Sequence, residues 1–442
     1  MSIELATLLM FGVMIVLLLS GLPIAFALAG SALLFGVFMW GPASIQVVIY
    51  KASDTMRENI IVAVPLFIFM ACVLERSGIA EGLYKVMYSW MGPLRGGLAA
   101  GTVVGCTIIA AMSGISTTGV LMMGILGLPS MARRKYEMKI AMGAIMAGGA
   151  LGILIPPSIP MIVYAAIAGQ SVGKIFLGGI IPGFILSGLF IVYIMVRAYL
   201  NPDLCPPIAV EDRVGWTEKL FSLREILLPV CLVIGVLGSI FAGIATPTEA
   251  ASVGAFGTLV SASIYRRFNW QLLKESAFRT LEMLAMVMWI VFGAGVFSSM
   301  YQGLGATQLI QHLLTTWPVN KWVIIILMQL TWMFLGCLMD VVSMLMVTAP
   351  VFIPVIEFLG LDPIWFAILY SVNSEMGYLT PPFGVNLFVM KGITAKGFAG
   401  REVKMSEIYQ AALPFIGIQL LCLILVMIFP KLATWLPSLF LT

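Results

Sequence analysis

Long apolar runs alternate with short polar segments along almost the whole chain. Runs of about 18 residues or more recur, and each is long enough to cross a bilayer core of about 30 Å. Representative runs are Leu5–Leu19, Pro23–Trp40, Ile181–Val196, Ile226–Ala242 and Ala411–Phe429. Counting such runs predicts about ten to fourteen membrane segments. The expected fold class is therefore an all-α polytopic membrane protein, with the lipid bilayer as its surroundings.

Two of the apolar segments contain prolines in the same arrangement. "GALGILIPPSIPMIVYA" (Gly149–Ala165) and "SEMGYLTPPFGVNLFVM" (Ser374–Met390) both have the spacing Gly-x-x-x-Pro-Pro. A proline lacks the N–H and frees a carbonyl about one turn earlier, and each unpaired backbone group in hydrocarbon costs several kcal/mol. Each Pro-Pro pair therefore predicts an interrupted membrane helix whose freed groups are bound by something else.

The interruptions belong to an internal repeat. The matched pairs, all at one constant offset along the chain, are Gly152 and Gly377, Pro156 and Pro381, Pro157 and Pro382, and Pro129 and Pro354. Residues 201–224, between the halves, form the most polar stretch of the chain and contain proline turns. The sequence predicts a first repeat over 1–200, a cytoplasmic connector over 201–224 and a second repeat over 225–442.

Loop charge predicts that the repeats have opposite orientations. Residues 131–139, before the first interruption, are rich in lysine and arginine, whereas the equivalent loop of the second half has neither. After the interruptions the distribution reverses, because the basic loop is then residues 391–404. Basic loops favour the cytoplasmic side. We therefore expect an inverted-topology repeat, with 131–139, 197–224, 265–279 and 391–404 in the cytoplasm.

Each half also has a cluster of small polar residues ahead of its interrupted helix. The first cluster is Ser113, Gly114, Ser116, Thr117 and Thr118, and the second is Gly336, Asp340, Ser343 and Thr348. The apolar legs around each cluster are short, which predicts two re-entrant hairpins whose tips meet the interrupted helices. Helix N-termini at such tips attract anions. The alternative is that these residues only support helix packing.

The freed carbonyls define a candidate chemistry. Carbonyl oxygens are hard donors that suit Na⁺, and here they would come from Gly152–Pro157 and Gly377–Pro382, joined by the Thr380 hydroxyl and the Asn386 amide. Paired interrupted helices in inverted repeats indicate a substrate and ion site near the membrane midplane of secondary transporters. The freed carbonyls and the two clusters of small polar residues would then bind a coupling ion and an organic substrate.

Three carboxylates lie in apolar surroundings, and such acids are candidates for function. "TPTE" predicts that Glu249 belongs to a capping box with Thr246 as N-cap. Asp340 beside the second hairpin tip and Glu375 beside Gly377 are candidates for substrate contacts, or they satisfy backbone donors. No arginine lies in the expected core to bind a carboxylate.

Composition and the absence of certain motifs argue against several classes of function. The chain is 61% hydrophobic and 10% charged, with one histidine, six scattered cysteines and a net charge of +4. Its basic residues indicate loop orientation, so nucleic acid is not an expected partner. HExxH, GxSxG and the nucleotide-binding P-loop are absent from the sequence, which predicts a protein that is not an enzyme. An ion channel would rarely need two inverted, interrupted halves.

Several segments resemble the large membrane subunit (DctM-like component) of tripartite ATP-independent periplasmic (TRAP) transporters: "PLFIFMACVLERSGIAEGLYK", "MSGISTTG", "GILIPPSIPMIVYA", "ATPTEAASVGA" and "GYLTPPFGVNLF". The resemblance implies Na⁺-coupled import of an organic anion, such as a C4-dicarboxylate or sialic acid, across the bacterial inner membrane. It further implies an elevator motion of a transport core against a scaffold. The implied partners are a small four-helix membrane subunit and a periplasmic substrate-binding protein.

The resemblance also assigns residues. One Na⁺ site would use Ser113, Ser116, Gly152, Ile155 and Pro157, and the other Gly336, Gly377, Thr380 and Phe383. The implied substrate contacts are Ser113, Gly114, Thr117, Pro156, Asp340, Ser343, Pro381 and Asn386. Many family members have a longer serine run where this chain has Ile115. The alternative function is a self-sufficient Na⁺/carboxylate symporter that needs no binding protein.

Overall fold

The computed structural model describes residues 3–316, 320–395 and 403–440, and within these ranges the regular structure is helical without strands. Part of the basic loop 391–404 lies outside the described residues, including Lys396 and Arg401. The helices are α1 (Ile3–Leu19), α2 (Ile24–Trp40), α3 (Ser44–Arg57), α4 (Ala63–Arg76), α5 (Ile79–Met91), α6 (Gly97–Ser113), α7 (Ser116–Arg133), α8 (Met138–Ala150), α9 (Ile159–Ile167), α10 (Val172–Leu200), α11 (Trp216–Ser222), α12 (Arg224–Phe241), α13 (Pro247–Ile264), α14 (Trp270–Gly303), α15 (Ala306–Thr316), α16 (Lys321–Gly336), α17 (Val341–Phe358), α18 (Pro363–Leu379), α19 (Val385–Thr394), α20 (Met405–Ile428) and α21 (Lys431–Phe440).

Six described stretches are long and apolar enough to cross a membrane: Ile24–Arg57, α10, α12, α14, α17 and α20. The pair α4 and α5, bent by 63°, adds a seventh if it forms one span. This number is below the expected ten to fourteen, because several apolar runs form shorter helices such as α1, α6 and α16. At 18 residues, α17 is longer than the short hairpin leg that the sequence suggested.

Helix limits recur along the chain at nearly constant separation. The first and last residues of α17 are separated from those of α7 by the same number of residues that separates the two Pro-Pro pairs. The same number of residues separates the start of α18 from the start of α8. Charged and apolar residues are mixed at helical spacing in residues 269–283, which favours an interfacial helix that corresponds to α3. They instead form the first part of the continuous α14, since no glycine or proline separates them from the apolar run that follows.

Two groups of helices can be distinguished by their packing. In the first group, which we call the frame, α2 packs on α14 and α4 packs on α13 and α14. In the second, the inner group, α8 packs against α6, α7 and α20, and α18 packs against α16 and α20. Every residue from Ile140 to Ala150 of α8 is buried, and so is every residue from Trp365 to Gly377 of α18. The two interrupted helices therefore lie at the centre of the inner group.

Three of the loops expected in the cytoplasm contact one another. Arg134 pairs with Asp212 of the connector at 3.1 Å, and the Glu137 amide donates to the Leu204 carbonyl at 2.8 Å. The Tyr265 hydroxyl donates to the Arg224 carbonyl at 2.8 Å. These loops therefore lie on the same side of the molecule.

The capping box expected at Glu249 is confirmed. The Thr246 amide donates to the Glu249 carboxylate at 2.8 Å, and the Glu249 amide donates to the Thr246 hydroxyl at 3.3 Å. Glu249 is thus engaged in starting α13.

Close packing of α8 on α20 depends on a glycine. A methyl group at Gly143 would lie 2.5 Å from the Ala411 carbonyl oxygen and 2.4 Å from the Phe415 ring. We expect Gly143→Ala to lower the free energy of unfolding by about 1–3 kcal/mol, because the backbone of α20 has to move. Thermal unfolding of the purified protein, followed by tryptophan fluorescence, measures this effect.

Gly188→Ala on α10 is the matched control. No atom lies within 4 Å of a methyl group at that position, and alanine favours a helix over glycine by about 1 kcal/mol. The control should unfold at the wild-type temperature or above it. Equal destabilisation by the two substitutions would contradict the packing argument.

Candidate ion and substrate site

The first interruption, residues 151–158, is a turn enclosed in the inner group. A short 3₁₀ turn over Leu151–Ile153 ends α8, and α9 begins at Ile159 after the cis Pro156–Pro157 bond. Every residue of this segment, which we call the first break, is buried. The Ser158 hydroxyl donates to the Ile153 carbonyl at 2.6 Å. One of the carbonyls freed by the break is therefore bound by a side chain of the break itself.

The turn between α6 and α7 lies directly against the first break. Gly114 has a φ of +62°, and a methyl group there would lie 2.2 Å from the Pro157 carbonyl oxygen. A methyl group at Gly152 would lie 3.0 Å from both the Ile115 carbonyl carbon and the Ser116 nitrogen. The first tip, residues 113–116, and the first break thus meet through their backbones.

The side chains of the first tip connect the two halves of the chain. The Ser113 hydroxyl donates to the Ile109 carbonyl at 2.9 Å. Asn386 donates from its amide nitrogen to the Ser116 hydroxyl at 3.0 Å and to the Met146 carbonyl at 3.1 Å. The sequence had associated Asn386 with the second interruption, whereas its side chain reaches the first tip and α8.

The second interruption, residues 380–384, which we call the second break, has a matching contact. A methyl group at Gly377 would lie 2.9 Å from the Gly336 Cα and 3.0 Å from its carbonyl oxygen. The Thr380 amide donates to the Gly377 carbonyl at 3.2 Å, and the Thr380 hydroxyl donates to the Met376 carbonyl at 2.7 Å. The structure thus brings together Gly336, Gly377 and Thr380, three of the residues assigned to one Na⁺ site.

The second break is more open than the first. Pro382 and Phe383 are exposed, and the Phe383 ring stacks on Phe388 with centroids 6.4 Å apart. Pro381 is half-buried, and the Tyr409 hydroxyl donates to the Pro382 carbonyl at 3.1 Å. The side chain of Phe383 therefore points away from the contact between Gly336 and Gly377, which leaves only its backbone as a candidate ligand.

The two remaining candidate acids have different surroundings. Asp340 is the N-cap of α17: it accepts from the Ser343 amide at 3.1 Å and from the Ser343 hydroxyl. Glu375 is fully buried beside the backbone of Leu154, and among the described residues its carboxylate oxygens have no hydrogen bond of good geometry. Asp340 therefore caps the start of α17 through Ser343, and Glu375 lies beside the first break.

A cavity of about 820 Å³ lies between the frame and the inner group. Its lining residues come from α4, α7, α14 and α19, and from the first tip: Cys72, Glu75, Ile115, Thr117, Thr118, Leu121, Gly124, Ile125, Pro129, Arg279, Met283, Val389, Gly392 and Ile393. We call it the inner cavity, because the first tip of the inner group forms part of its wall. Thr117, an expected substrate contact, faces it.

A second cavity of about 250 Å³ lies between α3, α14, α9 and α17. Met346, Ala349 and Pro350 line it, and at the offset of the expected repeat they correspond to Leu121, Gly124 and Ile125 of the inner cavity. Its charged groups are Lys51, Asp54 and Glu58. The two cavities thus use equivalent positions of the two halves but differ in size.

Sequence reasoning missed the charged lining of the inner cavity. It found no arginine in the expected core, and within the described residues the arginine of this cavity, Arg279, comes from the frame helix α14. Glu75, at the end of α4, was also overlooked. The available signal was position, because Glu75 lies in the last turn of the apolar helix α4 and Arg279 lies within α14 rather than in a loop.

Comparison with known proteins agrees with this architecture. A family model described as "Tripartite ATP-independent periplasmic transporter, DctM component" matches residues 11–432. The C4-dicarboxylate TRAP transporter large permease protein DctM of Vibrio cholerae is 32% identical, over 99% of this chain and 98% of that protein. The protein of the same name from Pseudomonas aeruginosa is 31% identical, over 91% of this chain and 92% of its own length.

The fold also resembles a solved transporter structure. The YdaH transporter of Alcanivorax borkumensis superposes with a TM-score of 0.63 at 15% identity, over 92% of this chain and 96% of that one. The family model and the full-length relatives confirm the resemblance seen in the sequence motifs. The chain belongs to the family of DctM components, the large permease subunits of tripartite ATP-independent periplasmic transporters.

Proposed function

We propose that this large permease subunit imports a small organic anion together with Na⁺, after a periplasmic binding protein has delivered the substrate. One observation carries the proposal. The backbone of an interrupted helix meets a helix–helix turn at two equivalent places, Gly152 against the first tip and Gly377 against Gly336. At both places backbone oxygens are concentrated inside an apolar protein, which is the chemistry that a hard monovalent cation needs.

The hydroxyl groups at these contacts are arranged to accept a cation. The Ser113 hydroxyl donates a hydrogen bond to the Ile109 carbonyl, and the Thr380 hydroxyl donates one to the Met376 carbonyl. A hydroxyl that donates to a carbonyl keeps its oxygen lone pairs available. We infer that one Na⁺ binds between Ser113, Gly152 and Pro157, and another between Gly336, Gly377 and Thr380.

Ion binding would couple to substrate binding through the tips. Thr117 and Thr118 line the inner cavity, and they lie in the first turn of α7, directly after the first tip. A cation held between tip and break fixes the position of that turn, whose N–H groups favour an anion. Na⁺ therefore orders the part of the cavity wall that faces the substrate.

The two cavities support alternating access by an elevator motion. Both lie between the frame and the inner group, at equivalent positions of the halves, and the inner cavity is the larger one. Recurring helix limits and the contacts among the basic loops support an inverted repeat with its connector in the cytoplasm. Sliding of the inner group against the frame would enlarge one cavity and reduce the other.

The assembly and location follow from family membership. We infer an inner-membrane complex with a small four-helix membrane subunit and a periplasmic binding protein. The relatives from Vibrio cholerae and Pseudomonas aeruginosa are named as C4-dicarboxylate permeases, which supports a carboxylate substrate, with sialic acid as a second candidate of the same class. A self-sufficient Na⁺/carboxylate symporter remains the alternative.

Uptake into proteoliposomes tests the proposal as a whole. The chain, its small membrane subunit and a matched binding protein are reconstituted and supplied with radiolabelled organic acids, with an inward Na⁺ gradient or an equal K⁺ gradient. We expect uptake only with Na⁺ and with the binding protein. Uptake without the binding protein would favour the symporter alternative, and equal uptake in K⁺ would contradict Na⁺ coupling.

Substitutions at the tip–break contacts test the ion sites separately. A methyl group at Gly152 or Gly377 meets backbone atoms at about 3 Å, so Gly152→Ala and Gly377→Ala should separate the oxygens of each site. We expect the Na⁺ concentration for half-maximal uptake to rise roughly tenfold or more, equivalent to about 1.4 kcal/mol of lost binding. Transport rate as a function of Na⁺ concentration measures this change.

Gly417→Ala on α20 is the matched control for both variants, because no atom lies within 4 Å of a methyl group there. It should show the wild-type Na⁺ dependence. An unchanged Na⁺ dependence in Gly152→Ala and Gly377→Ala, with intact uptake, would show that the contacts are structural and do not bind cations.

A further inference from the structure

The charged groups in the described lining of the inner cavity are few and of opposite sign. Glu75 comes from the end of α4 and Arg279 from α14, while the rest of that lining is apolar or carries hydroxyl groups. Both residues face the same space as Thr117. The described lining therefore presents one cation and one anion to any molecule inside the cavity.

Arg279 can exchange its present partner for a ligand. Its guanidinium donates to Glu282, three residues further along the same helix, at 3.1 Å. The two side chains are 59% and 67% exposed, and ion pairs at such positions contribute little to stability. A carboxylate in the cavity can therefore replace Glu282 and bind the planar guanidinium through two hydrogen bonds.

Glu75 is less exposed than Arg279. It is half-buried and lies beside the Thr118 hydroxyl and the guanidinium groups of Arg76 and Arg279. Arg76 is already paired with Glu275 of α14. The Glu75 carboxylate thus stays at the cavity wall, where it repels a second negative charge and accepts hydrogen bonds from donors.

We propose that Arg279 and Glu75 select the charge of the substrate: a molecule with one carboxylate and a hydrogen-bond-donating end, either hydroxyl groups or an ammonium group. The carboxylate binds Arg279 and the donor end faces Glu75. A dicarboxylate is disfavoured, because the lining that the structure describes offers a single cation and places the other end of the ligand against an acid. This inference rests on the proposed transport function and specifies its substrate class.

Binding to the purified complex of this chain with its small membrane subunit tests the selection. Isothermal titration with gluconate, 4-aminobutyrate and succinate compares a hydroxylated monocarboxylate, a zwitterion and a dicarboxylate. We expect gluconate or 4-aminobutyrate to bind at least roughly tenfold more tightly than succinate. A preference for succinate, or binding of none of the three compounds, would overturn the inference.

Substitutions separate the two contacts. Glu75→Gln should raise succinate affinity about tenfold, because it removes the negative charge that repels the second carboxylate of succinate. Gluconate affinity should stay nearly unchanged. Arg279→Gln should weaken every ligand about tenfold or more. Lys274→Gln is the control, since Lys274 is an exposed cation of α14 that does not line the cavity. Equal weakening by Lys274→Gln and Arg279→Gln would overturn the inference.

Repeating each titration in Na⁺ and in K⁺ keeps this inference distinct from the proposed function. Charge selection without any Na⁺ dependence would support the role of Arg279 and Glu75 and contradict Na⁺ coupling. Na⁺-dependent binding that does not discriminate succinate from gluconate would leave the coupling intact and contradict the charge selection.

Discussion

Backbone groups that lose their helical partners inside an apolar protein have to be paired again, and most of this architecture depends on how that is achieved. The Pro-Pro pairs follow α8 and α18, in which Ile140–Ala150 and Trp365–Gly377 are buried. Local and tertiary contacts re-pair freed groups: Ser158, within the first break, donates to the Ile153 carbonyl, and Tyr409 of α20 donates to the Pro382 carbonyl. These contacts draw neighbouring elements toward the breaks, and glycine makes the approach possible.

The two breaks share one construction but have different surroundings. At the first break, Gly114 and Gly152 allow the tip to contact a wholly buried segment. The Asn386 side chain, from the second half of the chain, donates a hydrogen bond to Ser116 of this tip. At the second, Gly336 and Gly377 make the equivalent contact, while Pro382 and Phe383 are exposed. The cavities differ in size, since the one beside the first tip is about 820 Å³ and its counterpart about 250 Å³. One pattern in two environments fits the alternating access that we propose for this transporter.

The sequence predicted those features that depend on backbone chemistry and local pattern. Proline spacing located both interruptions, the motif at Thr246 located a helix cap, and the resemblance paired Gly336 with Gly377. Contacts between distant side chains could not be predicted, because helical periodicity shows which faces are apolar but not which helices meet. Asn386 was therefore associated with the wrong interruption, and Arg279 and Glu75 were missed. The continuous α14 also differed from expectation, since sequence alone does not separate an interfacial helix from the start of a membrane span.

We propose that the tip–break contacts bind Na⁺, and thermal unfolding of the purified protein tests this Na⁺ binding most directly. A ligand that binds only the folded state raises the unfolding temperature as its concentration exceeds its dissociation constant. NaCl and KCl are compared at equal ionic strength across a range of concentrations. We expect NaCl to raise the unfolding temperature progressively and KCl to leave it nearly unchanged. Identical curves for the two salts would contradict it.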